Sequence, residues 1–454
     1  MKKTILIFLG MLMTFPVWAQ PGADFESAKD AVKNMRVGWN LGNTLDSNSG
    51  DVQNMWIEKW TSRTPSDYEK AWGQPVTKPA LMKMFKEAGF NAIRVPVTWY
   101  PHMEAKWKFK SGTIWDIDND DIGTKINAAW MKRVHEVVDY VINQGMYCIL
   151  NIHHDTGAAN TAWLVADEAE YAKQRERFEA VWTQIAEEFK DYDEHLLFEA
   201  YNEMLDIKDS WCFASFAASG NYNATIAKSA YNAINSYAQS FVNAVRATGG
   251  NNSQRNLIVN TYGACSGSGT WNTHLKDPLK EMKLPEDKVA NHLIFEIHSY
   301  PDIKNLNNVK SEVRSMVSAW KTYLQNKAPV IVGEWGSGTE NGYSAYRSNM
   351  LSFAQYFVEQ TKASDIATFY WMGLSDGNHR SVPEFNEQDL VDAIIKGYYG
   401  ENGYSGIDAV SAPRLPTGVY TLQGVKLAES MSPQQMQQLG KGVYIIDGKK
   451  MVVR

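Results

Sequence analysis

Cysteine is scarce in this chain, with three in 454 residues at Cys148, Cys212 and Cys265. At most one disulfide can form and none is expected; Cys148 sits in an apolar run and reads as a small core residue. Positive charge is also in deficit. The formal net charge is −6, and without Lys2 and Lys3 it becomes −8, from 43 basic against 51 acidic residues. A surface of that sign disfavours polyanions, so nucleic acid is not an expected partner. Long apolar stretches are missing too: beyond the first twenty residues none reaches the roughly 18 a membrane-spanning helix needs, and no integral membrane segment is expected.

The one short greasy run, Ile5 to Val17, follows Lys2-Lys3 and leads into Val17-Trp18-Ala19. A basic start, an apolar centre and a small residue at the exit mark 1–19 as a signal peptide. Gln20 stands where lipid attachment would need a cysteine. The product is therefore expected to be secreted, either extracellular or at the cell surface or periplasm, without a lipid anchor.

What the chain has in quantity is aromatic residues, including 16 tryptophans and 22 tyrosines. Flat rings stack on sugar faces and also fill cores, and composition does not separate the two uses. Removing 19 residues from 454 leaves 435, enough for one large barrel and a small appendage. Short apolar strands alternate with amphipathic helices eight times, with strands expected near 37–41, 90–96, 146–152, 195–201, 256–261, 292–298, 329–334 and 366–371. Continuous apolar runs such as Met146 to Leu150 suit strands covered on both faces. Helices are expected near 79–88, 127–144, 169–190, 223–247, 308–326, 343–362 and 387–398, with the segment after the fifth strand less clear. This order predicts an α/β fold, a (β/α)8 TIM barrel over 20–405.

The end of the chain breaks the rhythm. Gly418-Val419-Tyr420 with Gly424 and Lys426 is echoed by Gly442-Val443-Tyr444 with Gly448 and Lys450. Each passage reads as strand, turn, strand, so 411–454 is expected to be a small C-terminal β tail. It resembles the sorting or attachment domains of exported Bacteroidetes proteins; a β appendage with no trafficking role is the alternative.

In a parallel barrel the chemistry sits at the carboxyl ends of the strands, and polar residues gather there. Strand one offers Asn40 and, just beyond, Asn43; strand two Arg94; strand three Asn151, His153, His154 and Asp155. Strand four ends in Asn202 and Glu203, strand six in His298 and Tyr300, strand seven in Glu334 and strand eight in Trp371. Two glutamates at the tips of strands four and seven would face each other, as glycoside cleavage requires: about 5 to 5.5 Å apart for retention, wider for inversion.

The strings GWNLGNTLD (38–46), FNAIRVPVTW (90–99), ILNIHHD (149–155), FEAYNEM (198–204), FEIHSY (295–300) and VIVGEWG (330–336) together resemble glycoside hydrolase family 5, in its endoglucanase branch. The resemblance spans about 30–375. It implies Glu203 as acid/base, Glu334 as nucleophile, Asn202 on the sugar 2-hydroxyl, Arg94 and Tyr300 beside Glu334 with Arg94 holding it ionised, and Trp371 under the sugar. It matches His154 to the family's invariant histidine and places His298 near the acid/base; His153 and Asn43 complete the set expected to bind or orient substrate. Met204 and Met372-Gly373 depart from the commoner pattern and bear on substrate choice. No cofactor or metal is implied, and a monomer is expected.

The expected partner is a β-linked polysaccharide, β-1,4-glucan or mixed-linkage glucan first, xyloglucan second because of the long segments 101–126 and 205–224, and mannan third. Two readings of other classes compete. A non-catalytic glycan-binding barrel would keep aromatic platforms without turnover. A metal-dependent barrel hydrolase would use His153, His154, Asp155 and His298; against it, adjacent strand residues point to opposite faces, so only one histidine of the pair is expected in the site. Trp99, Trp163, Trp211, Trp271 and Trp335 are further candidate sugar platforms, and the segment from Trp211 through Phe213 and Phe216 is a candidate cleft wall.

Overall fold

The computed structural model describes residues 25–211, 223–267 and 277–405, and the backbone of four short strands between 419 and 453. The expected signal segment, Cys212, Phe213, Phe216 and Trp271 lie outside the described residues. The chain forms two compact units, Met1–Gly403 and Tyr404–Arg454.

Eight strands of the first unit close into a parallel barrel: β1 Val37–Asn40, β2 Ala92–Val95, β3 Tyr147–Asn151, β4 Leu196–Glu199, β5 Leu257–Asn260, β6 Leu293–Ser299, β7 Val330–Trp335 and β8 Ala367–Tyr370. Each strand pairs with its sequence neighbours, and β1 closes the ring on β8 with Val37 opposite Thr368 and Trp39 opposite Tyr370. Every residue of these strands is buried, which is why they read as unbroken apolar runs rather than as alternations. The barrel is thus the expected one, strand for strand.

Crossover helices cover the outside. Pro79–Ala88 starts on proline and stops at Gly89, whose φ of 107° no side-chain-bearing residue adopts comfortably. Four others begin on side-chain caps, Asn127 for Ala128–Ile142, Asp167 for Glu168–Glu188, Asn223 for Ala224–Ala247 and Asn305 for Leu306–Trp320. The helix expected at 343–362 is in fact broken at Tyr346 into Gly342–Ala345 and Arg347–Lys362. After β5 the described residues hold two short helical turns, Tyr262–Ala264 and Pro278–Glu281.

Several helices were not foreseen, and one of them shapes the barrel. Ala28–Met35, capped by the Ser27 side chain on the Asp30 N–H, carries Ala28, Ala31, Val32 and Met35 on one face. That face packs against the lower interior of the barrel, including Ile149, Leu197, Ile258, Ile294, Ile331 and Phe369. It closes the floor at the amino ends of the strands. Burying Val32 and Met35 there stabilises by about 1.5–3 kcal/mol each.

Above that apolar layer the barrel interior turns polar. Asn40, Arg94, Asn151, Glu199, Asn260 and Glu296 are all fully buried. A polar layer inside a barrel is tolerable only if its groups satisfy one another, and this one underlies the site described next.

Long loops rise from β1 and β2. The first holds the short helices Trp56–Trp60 and Pro65–Ala71, and the second a hairpin of Phe109–Ser111 and Ile114–Trp115. They are tied together where the Met55 N–H donates to the Thr113 carbonyl at 2.9 Å and the Trp115 N–H to that of Val52 at 2.8 Å. Cys148 is a buried free thiol, and Cys265 is buried as well. Among the described residues no helix is long and apolar enough to cross a membrane.

The second unit is a four-stranded antiparallel sheet in the order Lys426–Ala428, Val419–Thr421, Gly442–Ile446, Lys449–Val453. Its two hairpins coincide with the two matching sequence passages, and their inner strands pair with Tyr420 opposite Ile445.

Candidate active site

The register of β7 breaks at Gly333. Val332 stands opposite Ile297 of β6, yet Glu334 stands opposite His298, and a matching slip occurs against β8 between Thr368 and Tyr370. Such a bulge inserts one residue and re-aims the next side chain. Here it turns Glu334 toward the interior just above the polar layer. Asn40 holds the bulge by donating Nδ2–H to the Gly333 carbonyl at 2.9 Å.

Arg94 of β2 organises what surrounds Glu334. Its Nε and Nη2 donate to the two oxygens of Glu199 at 2.6 and 2.7 Å; Nη1 donates to Glu334 Oε1 at 2.7 Å and to Asn40 Oδ1 at 3.0 Å; Nη2 also reaches Asn202 Oδ1 at 2.6 Å. All the guanidinium donors are thereby engaged, and the orientation of the Asn202 amide is fixed with its N–H group turned away from Arg94. Tyr300 donates its hydroxyl to Glu334 Oε2 at 2.7 Å.

Glu203 follows Asn202 off the end of β4. Its Oε1 lies 2.7 Å from His298 Nδ1, and donor atoms of Glu203, His298 and Glu334 all fall within 4.8 Å of one another. The His298 Nε2 faces Glu296 Oε1 at 3.2 Å.

Electrostatics separate the two carboxyl groups. Burial and then the charge of Glu334 push Glu203 well above the ordinary carboxylate range. Burial also raises Glu334, to about 7, against the lowering influence of Arg94 and the Tyr300 hydroxyl. Arg94 touches Glu334 as the resemblance implied, but its charge is divided with Glu199 and Glu296, so it offsets the desolvation of Glu334 only in part. Glu334 ionises first and Glu203 keeps its proton.

His153 and His154 both reach the mouth. β3 ends at Asn151, so the strand alternation expected to send one of them away does not apply, and their rings lie 4.5 Å apart. Asn151 accepts the Val97 N–H on Oδ1 at 3.1 Å, which leaves its Nδ2–H to donate to Glu199 Oε1 at 3.0 Å and to His153 Nδ1 at 3.1 Å. His153 therefore carries its proton on Nε2, which points toward Glu334 Oε1 at 3.9 Å. Trp371, half-buried, stacks on His153 at 5.7 Å with 12° between planes. His154 is the more exposed histidine, between Asp46 at 3.9 Å and the ring of Trp72 at 5.4 Å. Asn43 stands at the rim in a left-handed turn (φ 56°), its N–H held by Asp46 Oδ2 at 3.0 Å.

Other sequence candidates are placed elsewhere. Asp155 accepts the N–H groups of Trp99 and Tyr100, each at 2.8 Å, and the Trp163 indole N–H at 2.7 Å. It clamps two loops together and does not join the histidines. Among the described residues, the groups of three whose donor atoms could converge on a cation are Asp46, His153 and His154, and Glu203, His298 and Glu334. Trp99, Trp163 and Trp335 are buried packing residues rather than platforms. Trp211 is half-buried. Sequence reasoning missed Glu199, Glu296 and Trp72. The parity of Glu296 and His298, two residues apart on one strand and so on one face, was the available signal.

The sequence profile of Cellulase (glycosyl hydrolase family 5) matches residues 51–376. Endoglucanase B of Neocallimastix patriciarum is 32% identical over 394 residues, covering 82% of this chain and 72% of that protein. A solved GH5-4 broad specificity endoglucanase from an uncultured bacterium is 53% identical with a TM-score of 0.74, covering 84% of this chain and 98% of that one. A family 5 enzyme of Prevotella bryantii, solved with a xyloglucan tetradecasaccharide, is 38% identical with a TM-score of 0.68, covering 82% and 99%.

Proposed function

The chain belongs to glycosyl hydrolase family 5 and is an endoglucanase of that family, and on that premise we propose that it is an exported enzyme that cleaves β-1,4-glucan chains with retention of anomeric configuration. The observation that carries the retaining reading is the approach of Glu203 and Glu334, whose carboxyl oxygens lie within 4.8 Å. Retention needs carboxyl groups about 5–5.5 Å apart, whereas inversion needs room for a water at about 6.5–9.5 Å.

In the first step an ionised Glu334 oxygen attacks the anomeric carbon. The bond from that carbon to the glycosidic oxygen breaks, and the Glu203 proton passes to the departing oxygen. In the second step Glu203, now a carboxylate, takes a proton from water as the water oxygen attacks the same carbon and Glu334 leaves ionised. Asn202, its Oδ1 engaged by Arg94, offers N–H to the sugar 2-hydroxyl. Trp371 backs the sugar, with His153, His154, Tyr300 and Asn43 completing its surroundings.

Cellulose chains and mixed-linkage glucan are the first substrate assignment. Xyloglucan is the second, supported by the oligosaccharide named with the Prevotella bryantii enzyme. Export rests on the 1–19 signal pattern, and the C-terminal sheet is assigned to sorting or attachment. Reducing-sugar release from carboxymethylcellulose, barley β-glucan, xyloglucan and mannan, with Glu334→Gln alongside and product anomers read by proton NMR, tests the whole. Glucan cleavage giving first the β anomer and abolished in the variant is expected; α-anomeric product or an undiminished variant overturns it.

A further inference from the structure

Beneath the two catalytic carboxyls lies an acid to which the reaction above assigns no role. Glu296 is fully buried on β6, two residues before His298, with Oε1 at 3.2 Å from His298 Nε2 and 3.3 Å from Arg94 Nε. We propose that Glu296 is a positioning residue that fixes His298 as its Nε2–H tautomer, so that His298 Nδ1 is a lone pair and Glu203 must be the donor of the hydrogen bond between them.

The argument is an inventory of protons. Arg94 sets a permanent positive charge beside Glu296 Oε1, its Nε 3.3 Å away although the Nε–H itself goes to Glu199, and a positive charge there favours the oxygen that carries no hydrogen. Oε1 is then an acceptor whether Glu296 is ionised or carries a proton on Oε2, and the ring nitrogen facing it must supply an N–H. Burial and the Arg94 charge depress His298 far below its ordinary pKa, so the ring is neutral and has one proton to place. With that proton on Nε2, Nδ1 can only accept. Glu203 Oε1 lies 2.7 Å from it, a distance that two lone pairs do not share.

The groups facing this relay are Glu334, whose Oε2 is 3.5 Å from His298 Nδ1, and Glu203 above; Arg94 and Glu199 lie below. A proton on Nδ1 would be drawn toward both catalytic carboxyls and would favour an ionised Glu203, the wrong state for protonating a leaving group. Glu296 thus acts through His298 to hold the acid ready. Gly333 makes room for it: a Cβ at that position would stand 1.5 Å from Glu296 Oε1.

This inference rests on the assignment of Glu203 as the acid, and the two fail differently. Nitrogen-15 NMR of histidine-labelled full-length protein, with His298 assigned through its ring-to-backbone correlations, is expected to show Nε2 protonated and Nδ1 bare; a protonated Nδ1 overturns the inference. For function, Glu296→Gln retains an oxygen acceptor and Glu296→Leu removes it. The alkaline limb of the kcat/KM profile is expected to fall by about one pH unit, a tenfold loss of proton affinity, in the leucine variant and to stay in the glutamine variant. The leucine variant is further expected to lose more activity on polymer than on a dinitrophenyl cellobioside, whose leaving group needs no acid. An unmoved limb with equal losses on both substrates overturns the relay. Full polymer cleavage by Glu203→Gln would instead overturn the acid assignment and leave the tautomer result standing.

Discussion

Gly333 and Glu296 compete for one volume: a methyl group on the glycine would lie 1.5 Å from Oε1 and 2.3 Å from Cδ of the acid. Neither is at the surface and neither is flexibly placed, so the bulge that aims Glu334 and the carboxyl beneath it are a single packing unit. Gly333→Ala is expected to destabilise the fold by about 1–3 kcal/mol, as overpacking does. It should also reduce kcat at least 100-fold, because Glu334 shifts with its neighbour. Thermal unfolding and kcat on barley β-glucan check the pair of outcomes.

Among the described residues Arg94 is the one permanent cation set among Glu199, Glu296 and Glu334. Arg94→Met leaves those carboxyls without it and is expected to cost about 3–5 kcal/mol. Arg94→Lys keeps a charge but not the fork that engages Glu199 on both oxygens. In a folded lysine variant the acid limb of the activity profile is expected to move upward as Glu334 loses its charged donor. Denaturant unfolding and pH profiles read these effects separately.

The wild-type pH profile of kcat/KM follows from the raised carboxyls. Activity requires Glu334 ionised and Glu203 protonated, so it should rise through the Glu334 pKa near 7 and fall through the higher one of Glu203. The same shift has a stability consequence of defined sign. Because the folded-state pKa of Glu334 is raised, its contribution is fully present below the unfolded value and is lost as pH climbs through the folded one. Glu334→Gln is therefore expected to be more stable than wild type at pH 8, by about 1–3 kcal/mol, and close to it at pH 4.

Asp155 holds the loops after β2 and β3 with its bonds to Trp99, Tyr100 and Trp163. Asp155→Ala removes these buried acceptor contacts at once and is expected to destabilise by about 3–5 kcal/mol. Zinc or other divalent ions should not restore the variant, which separates a brace from a metal ligand. Calorimetry with and without added metal is the measurement.

Trp371 keeps one face partly open while its other stacks on His153. Trp371→Ala is expected to lower kcat/KM on polymer by about 10- to 100-fold, the scale of an aromatic platform worth roughly 1–3 kcal/mol. The loss should come with little change in melting temperature. Trp163→Phe, which removes the indole donor to Asp155, should show the reverse pattern.

Much of this was legible in the chain. The eight strands announced themselves because both faces of each are buried, and Glu203 and Glu334 stood out because charge at the tip of an apolar run is costly without a purpose. The bulge at Gly333 was not legible, since a register slip is a relation between β7 and its two neighbours and leaves no mark in any one of them. Glu199 and Glu296 were passed over because they sit inside strands read as apolar; Arg94, reaching across the interior, with Asn151 on Glu199 and His298 on Glu296, explains why they are tolerated. The tryptophans misled in the other direction. Trp99 and Trp335 come from strand ends, where platforms are sought, yet both are wholly buried.

The helix Ala28–Met35 that floors the barrel joins the beginning of the domain to its last strand, through Ala367 and Phe369. On a ribosome these partners are made more than three hundred residues apart. The apolar face of the first helix is covered in full only once the eighth strand has emerged, since Ala367 and Phe369 complete the set against which it packs. Closure of the barrel and completion of its base are thereby coupled, and a chain interrupted before β8 lacks the last residues that cover the apolar face of its leading helix.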